Sequence, residues 1–359
     1  MIDERRARLS RRFRGQGDAC AHLGSPLYAD LLDRAADDLD RAGPVWRVVE
    51  PLADLPGGAL ASLRWLGATH RLALSGKAAG LAAHYPSCGG DGDREGAWTA
   101  LLALSETHAA TGELRGPMLA SGVQTNEVGR SAALLGGFLA VARSTGLPLR
   151  VLELGASAGL NLAWDRFAYH CDAARWGPPG AVVDHGDPWV EGGPVLEPEW
   201  SADLVAERRG CDLHPLDATS PPGRLTLLSF VWPDMTRRFE LLDAACAEVA
   251  VRPVRVEEGS ADRWLTDETA APRAGVATVV CHSVFMMYLP AEARDTVVAT
   301  IARAGATATA AAPLAWLRLE PAGALGPDHF EIRLTTWPGG DDRRLGTAHP
   351  HATWIRWSG

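Results

Sequence analysis

The chain has 359 residues, 47% of them hydrophobic and 22% charged, with a formal charge of −9. That length buries a sizeable core in one or two domains, and the balance is that of an ordinary globular protein rather than a disordered or fibrous one. The acidic charge and the lack of a long basic tract argue against duplex nucleic acid as a partner, and no apolar run reaches the length of a membrane span.

The opening stretch, MIDERRARLSRRFR, is basic, but Asp3 and Glu4 interrupt it and no apolar segment follows, so it does not read as a secretory signal. Residues 1–145 read as a helical region. Tyr28, Leu31, Leu32, Ala35 and Leu39 recur with helical spacing while acidic residues fill the other faces. Leu60 to Leu74, Trp98 to His108 and the alanine- and glycine-rich run from Arg130 to Ala142 continue the pattern, with a short strand expected near Val45 to Val49. Just before the last of these helices stand Gln124, Asn126, Glu127 and Arg130. They read either as a helix cap, with Thr125 or Asn126 at the N-cap, or as polar groups facing a pocket.

Near Leu149 the periodicity changes, and residues 146–359 read as strands alternating with helices, the pattern of a parallel sheet with crossovers. The stretch Arg150 to Trp164, RVLELGASAGLNLAW, gives an apolar strand, a small-residue loop and a helix. Such a loop aims backbone N–H groups at a polar ligand. Three patterns compete for it. The dinucleotide fingerprint fits poorly, because its glycine positions hold Gly155, Ser157 and Leu160. The hydrolase elbow G-x-S-x-G is met by Gly155-Ala156-Ser157-Ala158-Gly159, but the several preceding strands and the upstream oxyanion loop of that fold are missing. The loop also resembles the first motif of class I S-adenosylmethionine-dependent methyltransferases, acid-x-Gly-x-Gly-x-Gly, at Glu153, Gly155 and Gly159, with Ser157 in place of the middle glycine.

Downstream, a short inserted strand is expected at Ala181 to Asp184, and further strands at Val254 to Val256, Gly275 to Cys281 and Leu314 to Leu319. Phe330 to Trp337 and Leu345 to Trp357 flank Pro338-Gly339-Gly340 as a closing antiparallel hairpin. Six widely spaced cysteines without C-x-x-C predict reduced, mostly buried thiols in a cytoplasmic protein. His349-Pro350-His351 reads as a turn at a strand end rather than a metal pair.

The order of elements resembles a class I methyltransferase fold. The stretches VQTNEVGRSAALL, VLELGASAGLNL, GCDLHPLD, SFVWPD, HS with a following YLP, PLAWLRLEP and the final WPGG resemble an uncharacterised bacterial family across nearly the whole chain. The resemblance implies an α/β fold. Its Rossmann-like class I methyltransferase-type sheet, of the seven-strand type, would be mainly parallel, with a C-terminal antiparallel hairpin and a helical N-terminal region serving as lid. It implies S-adenosylmethionine as cofactor, held by Glu153, Gly155, Ala156, Ser157, Gly159 and Asn161 at the loop, by Asp212 at the ribose, and by Ser260 and Ala261, which replace the family's usual Asp-Ala pair, at the adenine. It places His282 and Asp234 at the reacting centre and Asn126, Glu127, Arg130, Trp232 and Ser283 against a small-molecule substrate. His282 also reads as a strand-end residue bonded to backbone, and Trp232 as core. The competing functions are a non-catalytic S-adenosylmethionine or nucleotide binder and a serine hydrolase using the Gly155–Gly159 elbow. No metal is expected.

Overall fold

The computed structural model describes residues 4–112, 114–120, 122–322 and 329–359. The chain forms two compact units, one of Met1–Thr125 with Pro221–Asp243, the other of Asn126–Ser220 with Ala244–Gly359.

The first unit is helical. Helices Glu4–His22 and Pro26–Asp40 pair along their lengths and bury Leu9, Phe13, Leu31, Leu32 and Leu39, with Trp65 of helix Ala61–Leu74 in the same core. The stretch expected as a strand at Val45 to Val49 lies in a helix, Pro44–Val49. Proline at the first helical position supplies the right φ and lacks only an N–H that would be unpaired there, which overrides the β preference of the valines.

In the second unit the strands run in chain order: β1 Leu149–Leu154, β2 Tyr169–Cys171, β3 Ala174–Trp176, β4 Trp189–Glu191, β5 Val205–Asp212, β6 Arg255–Glu258, β7 Ala277–Ser283, β8 Leu314–Pro321, β9 Phe330–Trp337, β10 Asp341–Ala348 and β11 Ile355–Trp357. Among the described residues no strand precedes β1. Among the described residues the main sheet has nine strands in the order β4-β11-β10-β9-β8-β7-β1-β5-β6, and β2 with β3 forms a separate hairpin. Strands β6, β5, β1, β7 and β8 are mutually parallel, while β9, β10 and β11 each run against their predecessor. The fold is therefore α/β, with an N-terminal helical region and a mixed, mostly parallel sheet that ends in an antiparallel portion.

Three local expectations change. The closing hairpin is longer than a hairpin: β10 ends at Ala348 and β11 is a further short strand. The sheet has nine strands rather than seven. Ala181 to Asp184 is not a strand; Asp184 makes one isolated bridge to Ala168. The central strand β1 is buried at all six positions. Helix Arg130–Thr145 packs on β7, β8 and β9. The small residues of that helix permit the close approach, since a Cβ on Gly137 would lie 2.3 Å from the Leu317 side chain.

Candidate functional site

Strand β1 sits between β5 and β7, and both neighbours follow it in the chain, so the strand order reverses beside β1. That is the switch point where open α/β sheets bind ligands. The loop from Gly155 to Gly159 occupies it. Gly155 and Gly159 take positive φ, 65° and 75°, and Ser157 does so as well, at 54°. Gly155 also has no room for a side chain, because a Cβ there would lie 2.3 Å from Cδ2 of Phe285. After the loop the chain makes a 3-10 segment, Leu160–Arg166, and not the α-helix expected. Apolar spacing over seven residues fits three-residue turns as well as wider ones.

The backbone donors of the loop are met by side chains from two directions. Asn126 Oδ1 accepts from Ala158 N at 3.2 Å and Leu160 N at 3.0 Å. Asp212, at the end of β5, accepts from Ser157 N at 2.9 Å through one oxygen and from His214 N at 2.9 Å through the other. Asn126 is thus not the cap of its own helix, which begins at Arg130 after Gly129. It caps the segment after the glycine loop. Glu127 bonds the Gly129 N–H at 3.3 Å, and its carbonyl receives Asn161 Nδ2 at 3.2 Å. Arg130 donates to the carbonyls of Pro350 at 2.9 Å and Ser283 at 3.4 Å. One guanidinium therefore bridges the end of β7 to the turn carrying His349 and His351.

Beneath the loop lies Glu153, 5% exposed, with Oε2 making no hydrogen bond among the described residues. Burial pushes its pKa up to about 8; the Asp212 carboxylate adds to the shift and Arg130 opposes it. The Ser157 hydroxyl and Asn161 Oδ1 are also buried without a partner among the described residues. A cavity of about 250 Å³ opens beside the loop, lined by Ala158, residues 215–219, Val249, Val254 and Val256. Ser260 precedes helix Ala261–Glu268, and Gly259 N bonds the Asp212 carbonyl, so the tips of β5 and β6 are tied together. Ala261 is buried in the core with Leu152 and Leu154.

His282 does not have the freedom a base needs. It is fully buried; Nε2 accepts from the Trp316 indole N–H at 2.9 Å and Nδ1 lies 2.7 Å from Glu320 Oε1. An indole N–H only donates, so the proton sits on Nδ1 and is given to the carboxylate. The same Glu320 oxygen accepts from Phe285 N at 2.9 Å and Met286 N at 3.2 Å. Burial alone would raise the Glu320 pKa, but these hydrogen bonds outweigh it and hold the carboxyl below its ordinary value.

Asp234 and Trp232, expected near the chemistry, belong to the first unit. Asp234 accepts from Ser25 Oγ at 2.6 Å and Leu27 N at 2.9 Å, fixing the start of helix Pro26–Asp40. Trp232 is buried in that unit's core, 6.3 Å from the Tyr28 ring. Both have structural work there. Spacing in the sequence did not disclose the roles of Phe285, Glu320, Trp316 or the Pro350 carbonyl; His282, Ser283 and the stretch PLAWLRLEP were the hints to that corner. All six cysteines are free thiols, five of them buried. Among the described residues no group of three or more His, Cys, Asp or Glu is placed to hold a metal, and no helix is long and apolar enough to cross a membrane.

Comparison with curated proteins and with solved structures finds no match to either. One family profile matches residues 10–357, and the chain belongs to that family, described as uncharacterized protein conserved in bacteria (DUF2332).

Proposed function

We propose that the second unit binds S-adenosylmethionine at the carboxyl end of its parallel strands and that the protein is a methyltransferase acting on a small molecule. The observation that carries this reading is Glu153. A buried carboxyl with an unpartnered oxygen is costly unless a proton or a cation meets it, and S-adenosylmethionine brings both an ammonium and a sulfonium group. Asp212, half-buried at the tip of the next strand, keeps acceptor capacity for ribose hydroxyls. The cofactor supplies the methyl group. Methyl transfer is an in-line displacement that rests on positioning and exclusion of water, and with His282 held between Trp316 and Glu320 the chain contributes those two effects.

A second reading, a non-catalytic binder of the same ligand, is favoured by one observation: His282 and Asp234 both have structural partners. The hydrolase reading has less support, because the Ser157 hydroxyl meets no imidazole among the described residues and a serine nucleophile needs a base within hydrogen-bond reach.

Calorimetry of the full chain with S-adenosylmethionine and S-adenosylhomocysteine tests the reading. Binding of both is expected, with loss of affinity in Glu153→Gln. Absence of binding by either compound at millimolar concentration overturns it. Binding without methyl transfer to any of a panel of small thiols, amines and hydroxy acids selects the non-catalytic form.

A further inference from the structure

The turn after β7 packs its one aromatic ring on the glycine loop, and the backbone there is strained. Val284 has φ 53°, a left-handed conformation that a β-branched residue adopts only when its surroundings force it. Three hydrogen bonds do so: Val284 N to the Leu319 carbonyl at 2.8 Å, and Phe285 N and Met286 N to Glu320 Oε1 at 2.9 and 3.2 Å. Glu320 is in turn fixed by His282, and His282 by Trp316. The result is that Phe285 lies on the bare Cα of Gly155. Beyond Met286, Met287 and Tyr288 are 54% and 64% exposed, so the turn is open to solvent on its outer side.

We propose that Phe285 stands in the ligand's own place above Gly155, and that Glu320 with His282 positions the turn 284–286 and so sets how readily that place is vacated. The proposal rests on the ligand reading above. A ligand lying along the loop and the Phe285 ring compete for the same volume. Opening the turn breaks the two bonds to Glu320 and releases the strain at Val284, so the closed turn is held by Glu320 against its own backbone preference. When the competent state is only partly populated, apparent affinity falls by that fraction, and a substitution that loosens the closed state restores it.

The test uses the full chain with S-adenosylhomocysteine as probe, in the wild type, Phe285→Ala and Glu320→Gln. Both variants are expected to bind more tightly than the wild type, Glu320→Gln by about fivefold, the factor that corresponds to one net hydrogen bond. Hydrogen exchange at Phe285 and Met286 is expected to quicken by a similar factor in Glu320→Gln. A merely structural role predicts the opposite sign, weaker binding in a less stable protein. If the wild type binds and the variants bind equally or less well, Phe285 is a wall of the site and the proposal fails. If only Phe285→Ala binds, the proposal is upheld in its strongest form. If neither binds, the ligand reading falls, and unchanged exchange in Glu320→Gln then removes the positioning role as well. Phe285→Leu, which keeps bulk without the ring, is expected to lie between the wild type and Phe285→Ala.

Discussion

Arg150 and Glu153 stand near opposite ends of the same short strand, and both are buried, 3% and 5% exposed. The arginine is fully answered. It donates to Glu207 at 3.2 Å and to the Glu268 carbonyl at 3.1 Å, and pairs with the Glu268 carboxylate; Glu268 in turn meets Arg209, and Glu207 meets Arg273. Glu153 is left with an oxygen that has no partner among the described residues, a like charge nearby at Asp212 and a pKa raised to about 8. The amino end of the sheet holds its charges for stability. At the carboxyl end Oε2 of Glu153 and Oε2 of Glu320 are both buried without a partner among the described residues, and such groups are where a ligand is expected to complete the arrangement.

The largest expected effect comes from breaking the satisfied end. Arg150→Ala takes the buried partner from two carboxylates and leaves Glu268 only Arg209 and Glu207 only Arg273; removing one partner of a buried ion pair costs up to about 3–5 kcal/mol. Urea unfolding should read this as a lower midpoint, and Arg150→Lys should recover only part of it, because an ammonium does not reproduce the forked geometry. A loss under about 1 kcal/mol would place these charges in effective contact with water.

Glu153→Gln should have the opposite sign and depend on pH. The folded pKa is raised from 4.5 to about 8, so between those values the folded state holds a proton that the unfolded state has released. Stability from this group is fully present below pH 4.5 and is lost as pH rises through 8. The wild type should therefore weaken relative to Glu153→Gln across that window, with a slope approaching about 1.4 kcal/mol per pH unit. Parallel stability curves for the two proteins from pH 5 to pH 8 would mean that Glu153 is paired in solution.

Much of this frame is legible in the sequence because it is local. Val151 to Leu154 announces a buried strand, and Gly155 and Gly159 a tight loop, each within a few residues of chain. What is not legible is contributed from far away. Asn126 reads as a cap for the helix that follows it, yet its oxygen serves Ala158 and Leu160. His282 reads as a base, but the residues that occupy its nitrogens lie one strand further on, at Trp316 and Glu320. Asp234 follows an apolar run like a catalytic acid and instead fixes a helix start more than two hundred residues earlier. Sequence spacing reports which residue types share an element, and hydrogen-bond partners across elements are set by sheet order.

Asn126→Ala separates filling the loop from binding at it. The substitution leaves two buried N–H groups without their acceptor, which costs about 1–3 kcal/mol. A thermal melt should show the loss. If a ligand offers its own acceptor to Ala158 and Leu160, adding it should restore more of the midpoint in the variant than in the wild type. Equal ligand-induced shifts in the two proteins would show that those donors play no part in binding.

The smallest effect is expected where a carboxylate is richly paired but near water. Asp342 in β10 accepts from Thr335 Oγ1 at 2.7 Å on the facing strand, from Arg318 at 2.8 Å and from Arg333 at 3.2 Å. Partial burial acts to raise its pKa, but the bonds to Arg333, Thr335 and Arg318 prevail and lower it to about 2. Because the folded value lies below the unfolded one, this contribution is present above pH 3.8 and is lost as pH falls through about 2. The side chain is 38% exposed, so solvent screening discounts the shift heavily, and exposed pairs are worth about 0.2–1 kcal/mol. Asp342→Asn should therefore lower stability at pH 7 by less than about 1 kcal/mol, and the difference should shrink in high salt as the screening length falls. Arg150→Ala measured in the same salt series should barely respond, because its partners lie largely out of water. If Asp342→Asn proved as costly as Arg150→Ala, the number of partners, and not their burial, would decide the strength of an ion pair in this sheet.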